Sequence, residues 1–138
     1  MTITGKPLIA GEAQGELLKL SAPACFWGGL DASTGKLSDP HHPQFGESIA
    51  DRIVAIPAVV GSSSSSQFLL EAMRLGNAPR AILLGEAEII IATAVFVGRE
   101  LGYDDFPIVH CDISSLHTGD RIVIKADGRV ISGAAVEP

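Results

Sequence analysis

Gly61 is followed by five consecutive serines, which lie between two segments of different hydrophobic pattern. Residues 53–60 are almost continuously apolar, as in a buried strand, whereas residues 68–75 have the spacing of an amphipathic helix. This order predicts a strand, a glycine turn and then the N-terminus of a helix. Backbone N–H groups at such an end lack intrahelical acceptors, so an anion or oxyanion is favoured there. A flexible serine linker is the alternative, and the helical pattern that follows argues against it.

The composition is that of an aliphatic globular chain. It has 138 residues, 46% of them hydrophobic, which predicts a single domain over residues 1–138. A net charge of −6 without a long basic run argues against nucleic acid or an anionic membrane as a partner. No apolar stretch approaches the roughly 18 residues of a membrane helix, and no signal peptide pattern is evident. Cys25 and Cys111 form no metal-type spacing, so we expect a reducing, cytoplasmic setting.

The hydrophobic pattern predicts a mixed α/β domain. Residues 21–46 lack periodicity and are expected to form a long, functional loop. A strand, a helix and a strand within residues 52–84 predict a right-handed βαβ unit. Helices are expected over residues 67–75 and 92–101. Strands are expected over residues 2–10, 16–20, 52–57, 81–84, 89–91 and 107–110, followed by a hairpin of residues 121–126 and 129–132 with a type I′ turn at Asp127-Gly128.

Ser62, directly after the glycine, has several interpretations. The helix dipole and backbone N–H groups would stabilise its alkoxide, so that it accepts or relays a proton. The run could instead bind a ligand through hydroxyl and N–H groups, or one serine could cap the helix, which is worth about 1 kcal/mol. An N-cap role would account for only one of the five serines. A hydrolase-type nucleophile is disfavoured, because no glycine follows Ser62 until Gly76.

The other polar signals are weaker. Gly28 and Gly29 permit either close approach of a ligand or a tight turn, and Asp31 suits either a site or an Asx turn. We interpret His41 and His42 as exposed loop residues rather than metal ligands, because adjacent side chains diverge. The Walker lysine motif and a Gly-x-Gly-x-x-Gly motif are absent.

Residues 93–109 resemble part of the swivelling β/β/α domain of phosphoenolpyruvate-utilising enzymes. The sequence Thr-Ala-Val-Phe-Val-Gly-Arg-Glu-Leu-Gly at 93–102 is similar to that family's His-Ala-Ala-Ile-Val-Ala-Arg-Glu-Leu-Gly. Residues 118–123 and 127–130 are similar to its closing strands. The resemblance implies a swivelling β/β/α fold, with a mixed sheet and flanking helices. The phosphate-accepting histidine would fall at Thr93, which cannot relay phosphate as imidazole does, so phosphotransfer is not expected.

A second resemblance spans nearly the whole chain and is to the small subunit, or swivel domain, of the aconitase X family. It is carried by Gly-Glu-Ala-Gln-Gly-Glu-Leu-Leu at 11–18, Phe-Trp-Gly-Gly-Leu-Asp at 26–31, Thr-Gly at 34–35, His-Pro at 42–43, Gly-Glu-Ser-Ile at 46–49, the glycine-serine run at 61–66 and Ala-Pro-Arg-Ala-Ile at 78–82. The resemblance implies a dehydratase whose large subunit carries an iron–sulfur cluster or metal. The small subunit would close the active site and supply a serine as proton acceptor, here Ser62. No cofactor is expected on this chain, and Cys25 stands where relatives can have serine, which argues against a cluster ligand.

The resemblance also implies a hydroxy acid substrate and an aconitase X-type large subunit as partner. Archaeal relatives dehydrate mevalonate 5-phosphate, and bacterial relatives dehydrate cis-3-hydroxy-L-proline. Residues 26–29 and 42–43 are similar to the bacterial branch, so we expect dehydration of cis-3-hydroxy-L-proline to Δ1-pyrroline-2-carboxylate. The alternatives are mevalonate 5-phosphate dehydration and a non-catalytic module that binds a carboxylate or phosphate. Ser62 is the expected catalytic residue, and the expected substrate-binding residues are Gly61, Ser63, Ser64, Ser65, Ser66, Gly28, Gly29 and Asp31.

Overall fold

The structure is a computed structural model that describes residues 1–61 and 63–133. Ser62, the expected catalytic residue, therefore lies outside the described residues. The helices of the described part are α1 (Ser65–Arg74) and α2 (Ile90–Glu100). Its strands are β1 (Thr2–Thr4), β2 (Lys6–Ile9), β3 (Ala13–Lys19), β4 (Leu30–Asp31), β5 (Lys36–Leu37), β6 (Ile53–Ile56), β7 (Ala81–Leu84), β8 (Ile108–His110), β9 (Arg121–Ile124) and β10 (Arg129–Gly133).

One mixed sheet organises the fold. Its eight strands have the order β1-β10-β9-β3-β6-β7-β8-β2, while β4 and β5 form a separate hairpin. Strands β3, β6, β7 and β8 are parallel neighbours, with α1 between β6 and β7 and α2 between β7 and β8. This mixed sheet with flanking helices confirms the predicted α/β fold class.

The carboxyl ends of the four parallel strands lie at one edge of the sheet. We call it the carboxyl edge, and the segments that begin at Leu20, Pro57, Gly85 and Cys111 leave the sheet there. Ligands of open α/β sheets bind outside the carboxyl ends of the strands. The segment that contains the serine run follows β6 in the chain. The topology therefore indicates the carboxyl edge as the candidate site.

The central strands are buried on both faces. Along β6, Val54 and Ile56 face one apolar cluster, and Ile53 and Ala55 face another. This burial explains why the strand is apolar throughout rather than alternating. The first cluster is filled by helix residues that include Leu69, Met73, Ile91 and Val95, and the second by residues of the outer strands that include Ile122, Ile124 and Val130. The helices therefore cover one face, and the outer strands fold over the other.

The sheet is rolled, so that its two ends meet at Gly5. Strand β1 pairs with β10 at one end, and β2 pairs with β8 at the other, although only Gly5 separates β1 from β2 in the chain. The Gly5 N–H donates to the Gly128 carbonyl over 3.1 Å. A Cβ on Gly5 would lie 2.8 Å from that oxygen. The prediction of one strand over residues 2–10 is therefore wrong, because a contact with a distant part of the chain imposes the break.

Other boundaries also differ from the prediction. Strand β3 begins at Ala13, where it pairs with β9, and the long loop of residues 21–46 contains the hairpin of β4 and β5. Residues 89–91 were expected as a strand, but Ile90 begins α2. No helix in the described part of the chain is long and apolar enough to cross a membrane.

The hairpin of β9 and β10 is confirmed, but its turn type is not. A type I′ turn needs positive φ at both central residues. Gly128 has φ +95°, whereas Asp51 is the one non-glycine residue with positive φ in the described ranges, which excludes Asp127. The Gly128 N–H donates to the Lys125 carbonyl over 2.9 Å. This geometry is that of a three-residue connection ending in a left-handed glycine.

Candidate functional site

Two loops of the carboxyl edge lie side by side. The Ala24 N–H donates to the Ala58 carbonyl over 3.0 Å, and the Val60 N–H donates to the Ala24 carbonyl over 2.9 Å. These bonds form a parallel bridge between Ala24 and Val59. The segment after β3 is therefore held against the segment that leads into the serine run.

Cys25 packs against Gly61 between these loops. A Cβ added to Gly61 would lie 2.7 Å from Cys25 Sγ and 3.3 Å from Ser65 Oγ. Gly61 has φ +111°, a conformation that residues with side chains rarely adopt. The position before Ser62 thus requires glycine both for its backbone conformation and for the close approach of the thiol. Sequence reasoning left the role of Cys25 open, because no local pattern connects it with Gly61.

Gly28 and Gly29 form a tight turn in the neighbouring loop. Gly28 has φ +75°, and a Cβ on Gly29 would collide with the Cys25 carbonyl oxygen. Ser38 holds this turn, since its N–H donates to the Gly29 carbonyl over 3.0 Å and its Oγ donates to the Gly28 carbonyl over 3.2 Å. The turn interpretation of the two glycines is therefore observed, while a contact with substrate stays a prediction.

The serines that follow Ser62 begin helix α1 and differ in their surroundings. Ser66 Oγ donates to the Ser63 carbonyl over 2.7 Å, and the Ser66 N–H donates to the same oxygen over 3.1 Å. Ser64 is the N-cap residue, and its carbonyl accepts the Gln67 N–H over 3.0 Å. Ser65 is buried, and its Oγ has no hydrogen-bond partner among the described residues. Ser63 to Ser66 therefore belong to the helix start and not to a linker.

The N-termini of the two helices are electrostatically different. At α2, the Glu88 carboxylate accepts the Ile90 N–H over 2.9 Å and the Ile91 N–H over 2.8 Å. Neither helix has an acidic residue in its first turn, but α1 is also preceded by no Asp or Glu after Asp51. A negative group stabilises the positive end of a helix. Glu88, just before α2, supplies that group for α2, whereas the segment just before α1 contains no carboxylate.

Asp31 takes part in an Asx turn at the end of β4. Its Oδ1 accepts the Ser33 Oγ–H over 2.6 Å and the Ser33 N–H over 3.0 Å. These two bonds, the hydroxyl bond first, lower the pKa of the Asp31 carboxyl. Asp31 borders a groove between the β4–β5 hairpin and α1, where Phe68 and Leu75 also lie. The turn is observed, and a role of Asp31 in substrate binding stays a prediction.

The two adjacent histidines have different environments. His41 is exposed, as expected, but His42 is half-buried, so the expectation of an exposed residue is wrong for His42. Its Nδ1 accepts the Gln44 N–H over 3.0 Å, and its Nε2 lies 3.2 Å from the Ala22 carbonyl. An accepting Nδ1 carries no proton, so Nε2–H is the donor to Ala22. Both ring nitrogens of His42 are thus used in holding the loop together.

The described residues do not fit an iron–sulfur cluster or metal. Across residues 1–61 and 63–133, no three His, Cys, Asp or Glu side chains are grouped so that they could hold a metal ion. Burial raises the pKa of the Cys111 thiol to about 11, which disfavours the thiolate that a cluster requires. Cys25 Sγ donates to the Trp27 carbonyl over 3.3 Å.

Large apolar side chains are exposed on the loops around this site. Trp27, Val60 and Ile89 are 61%, 48% and 76% exposed, respectively. Trp27 lies two residues after Cys25, whose thiol packs against Gly61. Val60 directly precedes Gly61, and Ile89 directly precedes α2. All three side chains therefore lie on segments that leave the sheet at the carboxyl edge.

Several known proteins are similar to this chain in sequence. A family model of the aconitase X swivel domain matches residues 2–133. The phosphomevalonate dehydratase small subunit of Thermococcus gammatolerans is 38% identical over 128 residues, which cover 92% of this chain and 93% of that protein. The cis-3-hydroxy-L-proline dehydratase of Pseudomonas aeruginosa is 42% identical over 106 residues, which cover 77% of this chain but 18% of that protein.

The fold comparison agrees with the sequence comparison. A crystal structure of Thermococcus kodakaraensis aconitase X in its holo-form matches with a TM-score of 0.89 and 32% identity, covering 97% of this chain and 99% of the matched chain. The family model and the full-length relatives confirm the resemblance noted in the sequence. The chain belongs to the aconitase X family, as a swivel domain of the kind that relatives carry as the small subunit of a dehydratase.

Proposed function

We propose that this chain supplies Ser62 as the proton acceptor in the dehydration of a hydroxy acid, cis-3-hydroxy-L-proline in the first instance. The observation that carries the proposal is the start of α1, which follows Gly61 in the chain after a run of serines and has no acidic residue in its first turn. Such an end stabilises an alkoxide and a substrate carboxylate. The residues proposed to contact the substrate are Gly61, Ser63, Ser64, Ser65 and Ser66, together with Gly28, Gly29 and Asp31.

The proposed reaction is an elimination of water. The Ser62 oxygen removes the proton on the carbon that bears the carboxylate, and the electrons of that C–H bond form a double bond to the neighbouring carbon. The hydroxyl on that neighbour leaves with its bonding electrons and takes up a proton to become water. The enamine product then tautomerises to Δ1-pyrroline-2-carboxylate. This chain's described residues offer no ligand set for a metal, so we propose that a cluster or metal belongs to the large subunit and derive no step through it.

The partner of this chain is a large subunit, as the small-subunit names of its relatives imply. In the Pseudomonas aeruginosa protein the matched segment is 18% of the length, which leaves 82% for other parts of the same chain. We propose that the carboxyl edge, with exposed Trp27, Val60 and Ile89, faces this partner in the cytoplasm. Activity is then expected only in the complex, because neither subunit holds the whole site.

A second substrate, mevalonate 5-phosphate, is supported to the same degree. The phosphomevalonate dehydratase small subunits match this chain from end to end as separate proteins, as with 94% coverage of the Thermococcus onnurineus subunit. The hydroxyproline alternative is supported by the 42% identity to the Pseudomonas aeruginosa enzyme. A third possibility is a module that binds a carboxylate or phosphate without catalysis; it predicts ligand binding by this chain alone.

The test is a reconstitution with the large subunit and an assay of both hydroxy acids. We expect Ser62→Ala to lower kcat by about 100-fold or more, as loss of a general base does, with an intact complex by size-exclusion chromatography. Ser115→Ala is the matched control, because Ser115 is an exposed serine outside the run, and it should keep wild-type turnover.

Three results would contradict the proposal. Near-wild-type turnover by Ser62→Ala would remove the proton-acceptor role. Full activity of either subunit alone would remove the shared site. Binding of the hydroxy acid by the isolated chain, with no turnover in the complex, would favour the non-catalytic module.

A further inference from the structure

The outward side of α2 is apolar, whereas that of α1 is polar. On α1 the exposed residues include Gln67 and Arg74, and Arg74 forms an ion pair with Glu71. On α2 the large exposed residues are Phe96 and Val97. A surface helix normally presents charged and polar residues to water, and a helix that is apolar all round is normally buried. The composition of α2 is therefore that of a helix covered on both sides.

The exposed residues of α2 form one continuous face. We call it the outer face of α2, and its members follow the helical spacing i, i+4, i+7, i+8 and i+12 at Ile89, Thr93, Phe96, Val97 and Leu101. The Thr93 Oγ donates to the Ile89 carbonyl over 2.8 Å, so this hydroxyl is used within the helix. The face thus presents mainly apolar surface along the whole length of α2.

The charged residues of α2 leave the centre of this face uncharged. Arg99 and Glu100 are the charged residues among the eleven of the helix. The Arg99 guanidinium forms an ion pair with Asp105 and donates to the Ala10 carbonyl over 3.3 Å. Glu100 remains as an exposed charge at one end of the face. An apolar centre with an aromatic residue and a charged rim is the arrangement found in protein–protein interfaces.

A groove lies at the other end of the outer face, beside Ile89. Its volume is about 350 Å³, and it is lined by Leu8, Ala87, Glu88, Ile89 and Ala92. Four of these residues are apolar, and the Glu88 carboxylate is already bonded to the start of α2. Ile89 also belongs to the segment that leaves the sheet at the carboxyl edge. The outer face is therefore continuous with the edge proposed to face the large subunit.

The size of the outer face indicates which partner covers it. It is about 20 Å long at 1.5 Å per residue, and a helix is about 10 Å wide, so the face offers on the order of 200 Å². A stable interface buries about 800 Å² of each partner. The face alone is thus too small for a stable pair of α2 helices from two copies of this chain. It is large enough only as part of a wider interface, such as one that includes the carboxyl edge.

We propose that the outer face of α2 docks into an apolar groove of the aconitase X-type large subunit. This inference rests on the proposed function, in which the carboxyl edge faces that subunit. The outer face then holds the two subunits together, while the loops of the carboxyl edge meet the substrate. Assembly and catalysis are assigned to different surfaces, so a change on the outer face affects binding of the subunits and not turnover by the assembled complex.

The experiment measures the dissociation constant of the two purified subunits by isothermal titration calorimetry. We expect Phe96→Glu to weaken binding roughly 30-fold or more, as loss of an interface hot spot does, because it places a charge in the centre of the apolar face. Phe96→Leu keeps an apolar side chain and should bind nearly as tightly as the wild type. At concentrations that saturate the large subunit, Phe96→Glu should show wild-type kcat.

The matched control is Phe45→Glu, which introduces the same charge outside α2. Phe45 is 56% exposed, close to the 55% of Phe96, and it follows the β4–β5 hairpin. It should leave the dissociation constant unchanged. Thermal unfolding of the isolated chain should be the same for Phe96→Glu and the wild type, because Phe96 is exposed there. If Phe96→Glu lowers the melting temperature, Thr93→Arg gives the same test with a charge on the same face.

Two results would overturn this inference alone. One is an unchanged dissociation constant in Phe96→Glu, or equal weakening by Phe45→Glu. The other is an isolated wild-type chain that is dimeric by analytical ultracentrifugation while Phe96→Glu is monomeric, because a second copy would then occupy the face. Full turnover by Ser62→Ala, together with weakened binding by Phe96→Glu, would overturn the proposed proton acceptor and support the docking surface.

Discussion

At the scale of single residues, Gly61 and Cys25 determine how the serine run starts. The φ of +111° at Gly61 turns the chain from the segment after β6 toward α1. The thiol of Cys25 packs where a Gly61 side chain would stand. The residue before the proposed base is thus restrained both by its own backbone and by the neighbouring loop.

We expect Gly61→Ala to destabilise the chain by about 1–3 kcal/mol, because backbone strain and a clash with Cys25 add. Gly28→Ala is the matched control, since Gly28 also has positive φ, +75°, but a Cβ there would meet nothing within 4 Å. It should cost about 1 kcal/mol. Urea unfolding of both variants measures the difference. The double variant Gly61→Ala with Cys25→Ala should recover part of the lost stability. Equal losses of stability in Gly61→Ala and Gly28→Ala would contradict the clash with Cys25.

At the scale of elements, the two helix starts are used differently. The Glu88 carboxylate accepts hydrogen bonds from two backbone N–H groups at the start of α2. A negative group therefore already occupies that helix end. The start of α1 has serine hydroxyls, and no acidic residue lies in its first turn or in the segment just before it. This contrast is why the start of α1, and not that of α2, is the candidate for binding an anionic substrate.

We expect Glu88→Ala to lower the free energy of unfolding by about 0.5–2 kcal/mol, as loss of a helix cap does. The nearby exposed Glu86 provides the control, because Glu86→Ala removes the same charge without a bond to the helix start. That control should change stability by no more than about 0.5 kcal/mol. Thermal unfolding of the two variants at low ionic strength distinguishes them. A similar loss of stability in Glu88→Ala and Glu86→Ala would indicate that removal of a negative charge, and not loss of the cap, causes the effect.

At the scale of the whole molecule, stability depends on pH through the second apolar cluster. Cys111 belongs to that cluster, and burial, with a smaller effect of Asp112, raises the pKa of its thiol from 9.0 to about 11. Between pH 9 and pH 11 the folded state therefore keeps a proton that the unfolded state loses. The folded state binds more protons in this window, so stability falls as pH rises.

We expect the free energy of unfolding to decrease more steeply from pH 9 to pH 11 in the wild type than in Cys111→Ala. The variant lacks the titrating thiol, although the small cavity lowers its stability at every pH. Urea unfolding along a pH series gives both slopes. Parallel curves for wild type and variant would show that the thiol does not titrate in this way.

Local patterns predicted a large part of the fold. The apolar run at residues 53–60 and the helical spacing after the serines are properties of neighbouring residues. A strand forms within the first segment, at Ile53–Ile56, and a helix forms at Ser65–Arg74, close to the expected residues. The matched segments likewise identified the family that the comparisons confirm. Residues 89–91 were misread as strand, because β-branched side chains suit both states and the carboxylate of Glu88 decides between them.

The sequence by itself determined the order of elements, the family and the position of the candidate serine, because these depend on residues close together in the chain. The tertiary structure alone decided that the sheet ends meet at Gly5, that Cys25 packs against Gly61, and that Ser65 is buried while Ser63 is exposed. Five identical residues in a row carry no pattern that distinguishes them. The observed differences among Ser63, Ser64, Ser65 and Ser66 arise from the parts of the fold that pack against them, which depend on contacts between distant segments.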